Sequence, residues 1–144
     1  MSRLFVAIFL VLAALFAVAP ATAGPLEDAA GVRAQWEQAF NAGDVDKLVA
    51  LYTKDALFYG STAPLFKGLD GVRTYFLHLP PGLKAQMGEQ SVVAVEPNVL
   101  LSSGLVQFTT KDGVVVPFRL TLALVKVGGQ WLIVQHHASP VPKT

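Results

Sequence analysis

Two adjacent histidines, an arginine inside an apolar run and an early aspartate are the side chains of this sequence best suited to chemistry. His136 and His137 stand near the C-terminus, and Arg119 lies within residues 114–125, where most neighbours are apolar or small. A neutral imidazole can accept or donate a proton near neutral pH, and a buried guanidinium needs water, a carboxylate or a ligand. These residue types indicate either acid–base catalysis or the binding of a polar group on a small molecule.

Strand alternation separates the two histidines. Counting from Trp131, the residues Ile133, Gln135 and His137 fall on one face of a strand, and His136 falls on the other. If Trp131 and Ile133 face the interior, His137 is the pocket histidine, whereas a β-bulge would exchange it with His136. Adjacent strand residues point to opposite faces and no third ligand is evident, so we expect no metal site here.

Arg119 is the most informative polar residue in the second half of the chain. Alternation places it with Thr121 and opposite the apolar residues 118, 120, 122 and 124. It either binds an anion or a carbonyl in a cavity, or lies on a polar outer or dimer face. Further candidates for a cavity wall carry an aromatic ring or an amide: Trp36, Tyr52, Tyr59, Tyr75 and Gln107.

Helices predicted in the first half must position part of this set. Apolar residues spaced three and four apart over residues 26–40 predict a helix with one buried face. Gly43 suits a left-handed helix end, and Asp44 suits the N-cap of a second helix over residues 45–52. Asp70 can cap a third helix. Three N-terminal helices are therefore expected.

Strands predicted after residue 89 must position the histidines and Arg119. The turns 111–113 and 127–129 predict hairpins, and a short earlier strand fits residues 55–60. These elements predict an α+β fold, in which three helices stand in front of a curved antiparallel sheet of about four to six strands. The later strands are predicted at residues 91–95, 98–101, 105–110, 114–127 and 131–138.

The N-terminus and the composition limit where the protein acts and what it binds. Arg3, an apolar run over residues 4–18 and the small-x-small site at 21–23 predict a signal peptide, residues 1–23, before a domain over 24–144. We therefore expect a periplasmic or secreted protein without a membrane anchor after cleavage. Eleven Lys and Arg against ten Asp and Glu, without charge runs, do not favour a nucleic-acid partner. The absence of cysteine excludes disulfides and thiolate chemistry.

Several ordered segments of the chain resemble one known superfamily. The segments are the connection Asn41–Asp44, the run Leu51–Ala56, the helix with Tyr75 and Phe76, and the terminal run Gly129–Ser139. Together they resemble the SnoaL-like, nuclear-transport-factor-two-like superfamily, and within it the bacterial relatives of the calcium/calmodulin-dependent kinase association domain. This resemblance implies a cone-shaped sheet around a long helix, an apolar cavity open at one end, and dimerisation through the outer sheet face.

The resemblance leaves three functions open, because members use the same fold for different purposes. The first is binding of a small molecule in the cavity, with Arg119 and His137 as its polar contacts. The second is a cofactor-free isomerase, cyclase or dehydratase in which Asp55 and His137 move a proton; SnoaL-like enzymes often carry an acidic residue near Asp55, although an aspartate there could equally have a local turn role. The third is a non-catalytic oligomerisation module, with Leu120, Leu122 and Leu124 as the candidates for an apolar outer face.

Overall fold

Six strands form one curved, unclosed sheet, and three N-terminal helices pack on its inner side. The computed structural model describes residues 23–143, so the predicted signal peptide, except for its last residue, lies outside the described residues and export stays a prediction. The predicted α+β class is confirmed. The elements are α1 (Pro25–Ala42), α2 (Val45–Val49), β1 (Tyr52–Tyr59), β2 (Phe66–Lys67), α3 (Gly68–Leu77), β3 (Lys84–Glu96), β4 (Val99–Thr109), β5 (Val115–Val127) and β6 (Gln130–Pro140).

The helix ends follow local sequence signals at the first junction. Gly43 has a φ of 68°, a conformation that glycine adopts without a Cβ clash, and the Asp44 carboxylate accepts a hydrogen bond from the Lys47 backbone N–H at 3.0 Å. The second helix is shorter than its apolar pattern suggests, because the Leu51 carbonyl accepts from the Ile133 N–H and Tyr52 begins β1. Within residues 23–143, none of the helices has the length and apolar character that crossing a membrane requires.

The strand order is β2-β1-β6-β5-β4-β3, and it contains one parallel pair. The expectation of an entirely antiparallel sheet is corrected here: β1 runs parallel to β6, while every other neighbouring pair is antiparallel. The parallel pair arises because α2 and the turn before β1 place β1 beside the free edge of β6. As a result Phe58 of β1 lies beside His136 of β6.

A bulge between β3 and β4 bends the far side of the sheet. Gly88 and Glu89 stand together opposite Leu105, and such a two-against-one arrangement bends the strand that carries the extra residue. The Nη2 atom of Arg33 in α1 donates to the Leu105 carbonyl at 2.8 Å. Sequence patterning places Arg33 on the exposed side of its helix, but it is only 3 % exposed, since it pairs with a backbone oxygen where the strand ladder is interrupted.

Gly104 is the position in β4 that allows this bulge to close. A Cβ at Gly104 would collide with the Glu89 carbonyl oxygen, which is backbone and cannot turn away. We expect Gly104→Ala to lower the free energy of unfolding by about 1–3 kcal/mol, the usual scale of overpacking. Urea unfolding measures the change.

The matched control is Gly31→Ala in α1, where a Cβ would meet no atom within 4 Å. This variant should be neutral or should stabilise the protein by roughly 0.5–1 kcal/mol, since alanine favours a helix interior over glycine. Equal unfolding midpoints for Gly104→Ala and the wild type would contradict the proposed close approach.

Candidate functional site

A second bulge, in β6, decides which histidine faces the interior. Leu124 of β5 pairs with Ile133, and the next residue, Ala123, pairs with Gln135, so Val134 is the extra residue in β6. An extra residue shifts the alternation of side chains by one position. Ile133 before the bulge and residues 136 and 138 after it therefore point to the same inner side.

The structure consequently exchanges the two histidines. His136 is 3 % exposed and lines the interior, whereas His137 is exposed and lies on the outer face beside Tyr59, with ring centroids 5.7 Å apart. The expectation that His137 is the cavity histidine is corrected, and the physical reason is the residue inserted at Val134. The sequence pattern allowed this exchange but did not indicate it, because Val134 follows the apolar residues 131–133 and no glycine or proline marks the position.

A chain of buried hydrogen bonds holds His136 in place. The Nε1–H of Trp36 in α1 donates to the Tyr52 hydroxyl oxygen at 2.9 Å, and that hydroxyl lies 3.0 Å from Nδ1 of His136. The imidazole stacks on Phe58 with ring centroids 4.3 Å apart and an interplanar angle of 28°. Three elements, α1, β1 and β6, thus fix one ring in position and orientation.

Burial keeps the Tyr52 hydroxyl and the His136 imidazole uncharged. It lowers the pKa of His136 from 6.5 to about 3, with a smaller contribution from the nearby His137, and it raises the pKa of the Tyr52 hydroxyl well above its ordinary value. His136 is therefore neutral across the physiological pH range. A base with so low a pKa binds protons weakly at neutral pH. The neutral imidazole still forms hydrogen bonds, because one ring nitrogen is a donor and the other is an acceptor.

His136 lines a cavity of about 230 Å³, which we call the aromatic cavity. It lies between the C-terminal half of α1, α3 and the inner face of β4 to β6. No aspartate, glutamate, lysine or arginine lines it, and most of its wall is aromatic or aliphatic carbon. The lining residues are Trp36, Phe40, Phe58, Gly60, Ser61, Tyr75, Phe76, Leu79, Pro80, Leu83, Phe108, Val116, Phe118, His136 and Ala138.

Tyr75 and the loop after β1 form one side of the cavity. The Tyr75 hydroxyl accepts a hydrogen bond from the Ser61 backbone N–H at 3.0 Å and lies 3.1 Å from the Ser61 hydroxyl. Gly60 makes room for the ring, since a Cβ at that position would collide with it. Ser61 is exposed, so these hydrogen bonds lie between the cavity and solvent.

The residues predicted from sequence to contact a ligand divide into three groups. Trp36 and Tyr75 line the aromatic cavity, and Tyr52 lies directly behind it through its hydrogen bonds to Trp36 and His136. Four of the remaining candidates are exposed and outside the cavity lining, so the placement expected for them is corrected: Asp55, Tyr59, Gln107 and His137. Arg119 is also exposed and outside the lining, which is the outer-face alternative that the sequence left open.

Strand alternation accounts for these outer positions. Arg119 and Thr121 are exposed on β5, as their shared parity predicted, and the β5 residue Thr121 pairs with His137. Leu120, Leu122 and Leu124 point inward and are at most 3 % exposed, so they do not supply an apolar outer face. Within residues 23–143, histidine and carboxylate side chains form no group of three that could hold a metal ion.

Sequence reasoning missed most of the apolar wall. Phe58, Phe76, Phe108, Phe118 and Ala138 all line the cavity but carry no group that marks a site. Their only sequence signal is alternation or helical spacing, which predicts that a residue is buried and does not distinguish a filled core from a cavity wall.

Comparisons with known proteins agree with this architecture. A sequence profile described as "SnoaL-like domain" matches residues 31–143. Among curated proteins, none is significantly similar to this chain. Solved structures of related shape are numerous, and the three described next are 19–24 % identical to this chain.

Three solved structures illustrate the likeness. A Xanthomonas campestris protein, described provisionally as a calcium/calmodulin dependent protein kinase II association domain, is 24 % identical with a TM-score of 0.76, over 85 % of this chain and 91 % of that one. An NTF2-like protein of unknown function from Pseudomonas putida KT2440 is 19 % identical with a TM-score of 0.72, over 82 % and 87 %. A ketosteroid isomerase-like protein from Erwinia carotovora atroseptica is 21 % identical with a TM-score of 0.68, over 82 % and 97 %. At these identities the shared property is the fold.

The depressed pKa of His136 predicts how stability depends on pH. Below the ordinary histidine pKa of 6.5 the unfolded chain binds a proton at this residue, while the folded protein does not until the pH nears about 3. The free energy of unfolding should therefore decrease as the pH falls from 6.5, with a contribution of about 1.4 kcal/mol per pH unit from this group. Urea unfolding at pH 4, 5, 6 and 7 measures the slope.

His136→Gln keeps a polar side chain and removes the titrating ring, so its slope between pH 4 and 6 should be shallower than that of the wild type. His78→Gln changes an exposed histidine outside the cavity lining and should keep the wild-type slope. Identical slopes in the wild type and His136→Gln would contradict the neutral buried state of this ring.

Proposed function

Because this chain belongs to the SnoaL-like domain family, whose profile spans residues 31–143, we propose that it binds a small, uncharged, ring-containing molecule in the aromatic cavity. The observation that carries the proposal is the cavity itself, which has apolar walls and one buried polar side chain, His136, at its inner end. Pockets of this composition bind mostly apolar ligands, and their few polar groups determine ligand orientation. Charged ligands would lose hydration here without gaining an opposite charge.

The cavity volume limits the size of the ligand. An apolar protein cavity of about 150 Å³ accommodates benzene, with six heavy atoms, so a cavity of about 230 Å³ fits roughly nine heavy atoms. This size corresponds to one substituted ring. The surrounding aromatic side chains, such as Trp36, Phe58 and Phe108, offer stacked and edge-to-face contacts to such a ring.

Binding without catalysis is favoured by the chemistry of the cavity wall. An acid–base isomerase or dehydratase requires a group that exchanges protons near the operating pH. Asp55 and His137 share the exposed outer side, and the low pKa of His136 makes it a weak base at neutral pH. Two related structures carry the descriptions ketosteroid isomerase-like and NTF2-like dehydratase, but the acidic and basic residues of this chain lie outside its cavity lining.

Filling the cavity should abolish binding without unfolding the protein. Ala138 lines the cavity and its methyl group faces the open volume, so Ala138→Leu should occupy the space that a ring requires. We expect at least a tenfold loss of acetophenone binding, measured by titration calorimetry, with an unfolding temperature close to that of the wild type.

Ala94→Leu makes the same substitution at an exposed strand position outside the cavity and should retain full affinity. Unchanged acetophenone affinity in a folded Ala138→Leu protein would refute binding in this cavity. Absence of binding to the wild type across acetophenone and other neutral one-ring compounds would refute the proposed function as a whole.

We also propose that the protein forms a homodimer through the outer sheet face, here the side that carries Val93, Leu101, Leu105, Arg119 and His137. Val93 and Leu101 pair across β3 and β4 and are 60 % and 44 % exposed, and Leu105 on the same side is 48 % exposed. Adjacent exposed apolar side chains rimmed by polar ones are typical of protein interfaces.

Leu101→Glu should shift the protein toward monomer in sedimentation equilibrium, because it introduces two like charges into a self-complementary interface. Leu77→Glu changes a more exposed leucine, 63 % accessible on α3, and should leave the association state unaltered. A wild-type protein that is monomeric at micromolar concentration would exclude this dimer.

A further inference from the structure

The hydrogen-bond chain behind the cavity determines which nitrogen of His136 carries the proton. The Trp36 indole has one N–H and no acceptor, so the Tyr52 oxygen must accept from it at 2.9 Å. The single hydroxyl proton of Tyr52 then has Nδ1 of His136, 3.0 Å away, as its partner. If Nδ1 carried a proton instead, the Trp36 N–H and the His136 N–H would both point at the Tyr52 oxygen. The buried hydroxyl proton of Tyr52 would then have neither of these two side chains as an acceptor, which costs free energy.

Nδ1 of His136 is therefore an acceptor, and the ring proton of the neutral imidazole resides on Nε2. Nδ1 faces Tyr52, which lies behind the cavity, whereas the ring itself is part of the lining. Nε2 has no hydrogen-bond partner among the described residues and is not among their fully buried unpartnered atoms, so it reaches accessible space. The hydrogen bonds among Trp36, Tyr52 and His136 thus direct the Nε2–H group of His136 toward the cavity.

We propose that the hydrogen bonds from Trp36 to Tyr52 and from Tyr52 to His136 make the aromatic cavity selective for one class of ligand. These ligands present a hydrogen-bond acceptor, such as the carbonyl of a ketone or aldehyde, to the inner end of the cavity. This inference rests on the proposed binding function and specifies the class of ligand. A hydrocarbon of the same shape would leave the Nε2–H without a partner. A ligand that offers only a donor would place its N–H or O–H against the imidazole N–H.

The other polar groups of the cavity do not supply the same discrimination. The Tyr75 hydroxyl interacts with the Ser61 backbone and hydroxyl, and Ser61 is exposed to solvent, where water competes for its hydrogen bonds. His136 is 3 % exposed, so its N–H has no such competition once a ligand fills the cavity. Satisfying one buried neutral donor favours the acceptor-bearing ligand by about three- to tenfold in affinity.

Two compounds of nearly identical shape test the selectivity on the unmodified protein. Acetophenone and α-methylstyrene differ only in a carbonyl oxygen where the hydrocarbon has a methylene group. Titration calorimetry should give a dissociation constant about three- to tenfold lower for acetophenone, after correction for the difference in the transfer of the two compounds from water to an apolar solvent. Indole, which offers an N–H donor and no comparable acceptor, should bind no better than α-methylstyrene.

The outcomes separate this inference from the function on which it rests. Equal corrected affinities for acetophenone and α-methylstyrene would overturn acceptor selectivity and leave cavity binding intact. Absence of binding for all three compounds would overturn cavity binding and the selectivity with it. Tighter binding of indole than of acetophenone would indicate the opposite tautomer and would also overturn the inference.

Tyr52→Phe tests the positioning role of the hydroxyl, since Tyr52 itself does not line the cavity. In the wild type, ¹⁵N NMR of the His136 ring should show a protonated Nε2 and an unprotonated Nδ1. In Tyr52→Phe the Nδ1 atom loses its donor, so the spectrum should shift toward a mixture of tautomers, and the preference for acetophenone should fall below threefold.

His78→Gln changes an exposed histidine outside the cavity lining and is the control, which should keep both the spectrum and the preference. A merely structural role for Tyr52 would lower stability without changing the tautomer of His136. An unchanged tautomer and an unchanged preference in a folded Tyr52→Phe protein would therefore refute the proposed role of the hydrogen-bond chain.

Discussion

The pairing of polar atoms from three core side chains determines the arrangement on which the rest of this structure depends. Trp36, Tyr52 and His136 come from α1, β1 and β6, and each brings a polar atom into an apolar interior. An unpaired buried donor or acceptor costs roughly 1–3 kcal/mol, so the three elements are held in one relative position where the atoms meet. The same contact that fixes the helix against the sheet also places an imidazole at the inner end of the cavity. The fold and the proposed ligand binding therefore depend on the same hydrogen bonds.

The two sides of the sheet have separate chemistry. The inner side combines aromatic rings with the neutral His136, and the outer side carries Arg119, His137 and Asp55 together with exposed aliphatic residues. Arg119 and Asp55 remain hydrated on the outside, where a guanidinium or carboxylate needs no partner, whereas the buried Arg33 donates to the Leu105 carbonyl. The cavity is therefore suited to a neutral molecule, while the outer side is suited to contact with another protein surface.

Periodicity in the sequence predicted the fold well and the site poorly, for a physical reason. Helical spacing over residues 26–40 and glycine at position 43 report local preferences that the tertiary structure leaves unchanged. The buried alternation on β5 likewise follows directly from Phe118 and the leucines after it. In contrast, the bulge at Val134 results from pairing with two neighbouring strands, and no glycine or proline in residues 131–138 marks it. Local patterns cannot report an insertion that only the strand partners define, so the pocket histidine and the exposed one were exchanged.

The bulge at Val134 also affects how this chain can change in evolution. A substitution in β6 alters one side chain, but loss of the bulge with every residue retained would restore regular alternation and bring a different set of side chains inward. Either His136 or Ile133 would then have to leave the interior, together with the neighbours that share its parity. A change that removes the bulge and keeps the length of the strand can thus replace an interior lined by a neutral histidine with one of other chemistry, because it reverses the side-chain parity of β6 on one side of Val134.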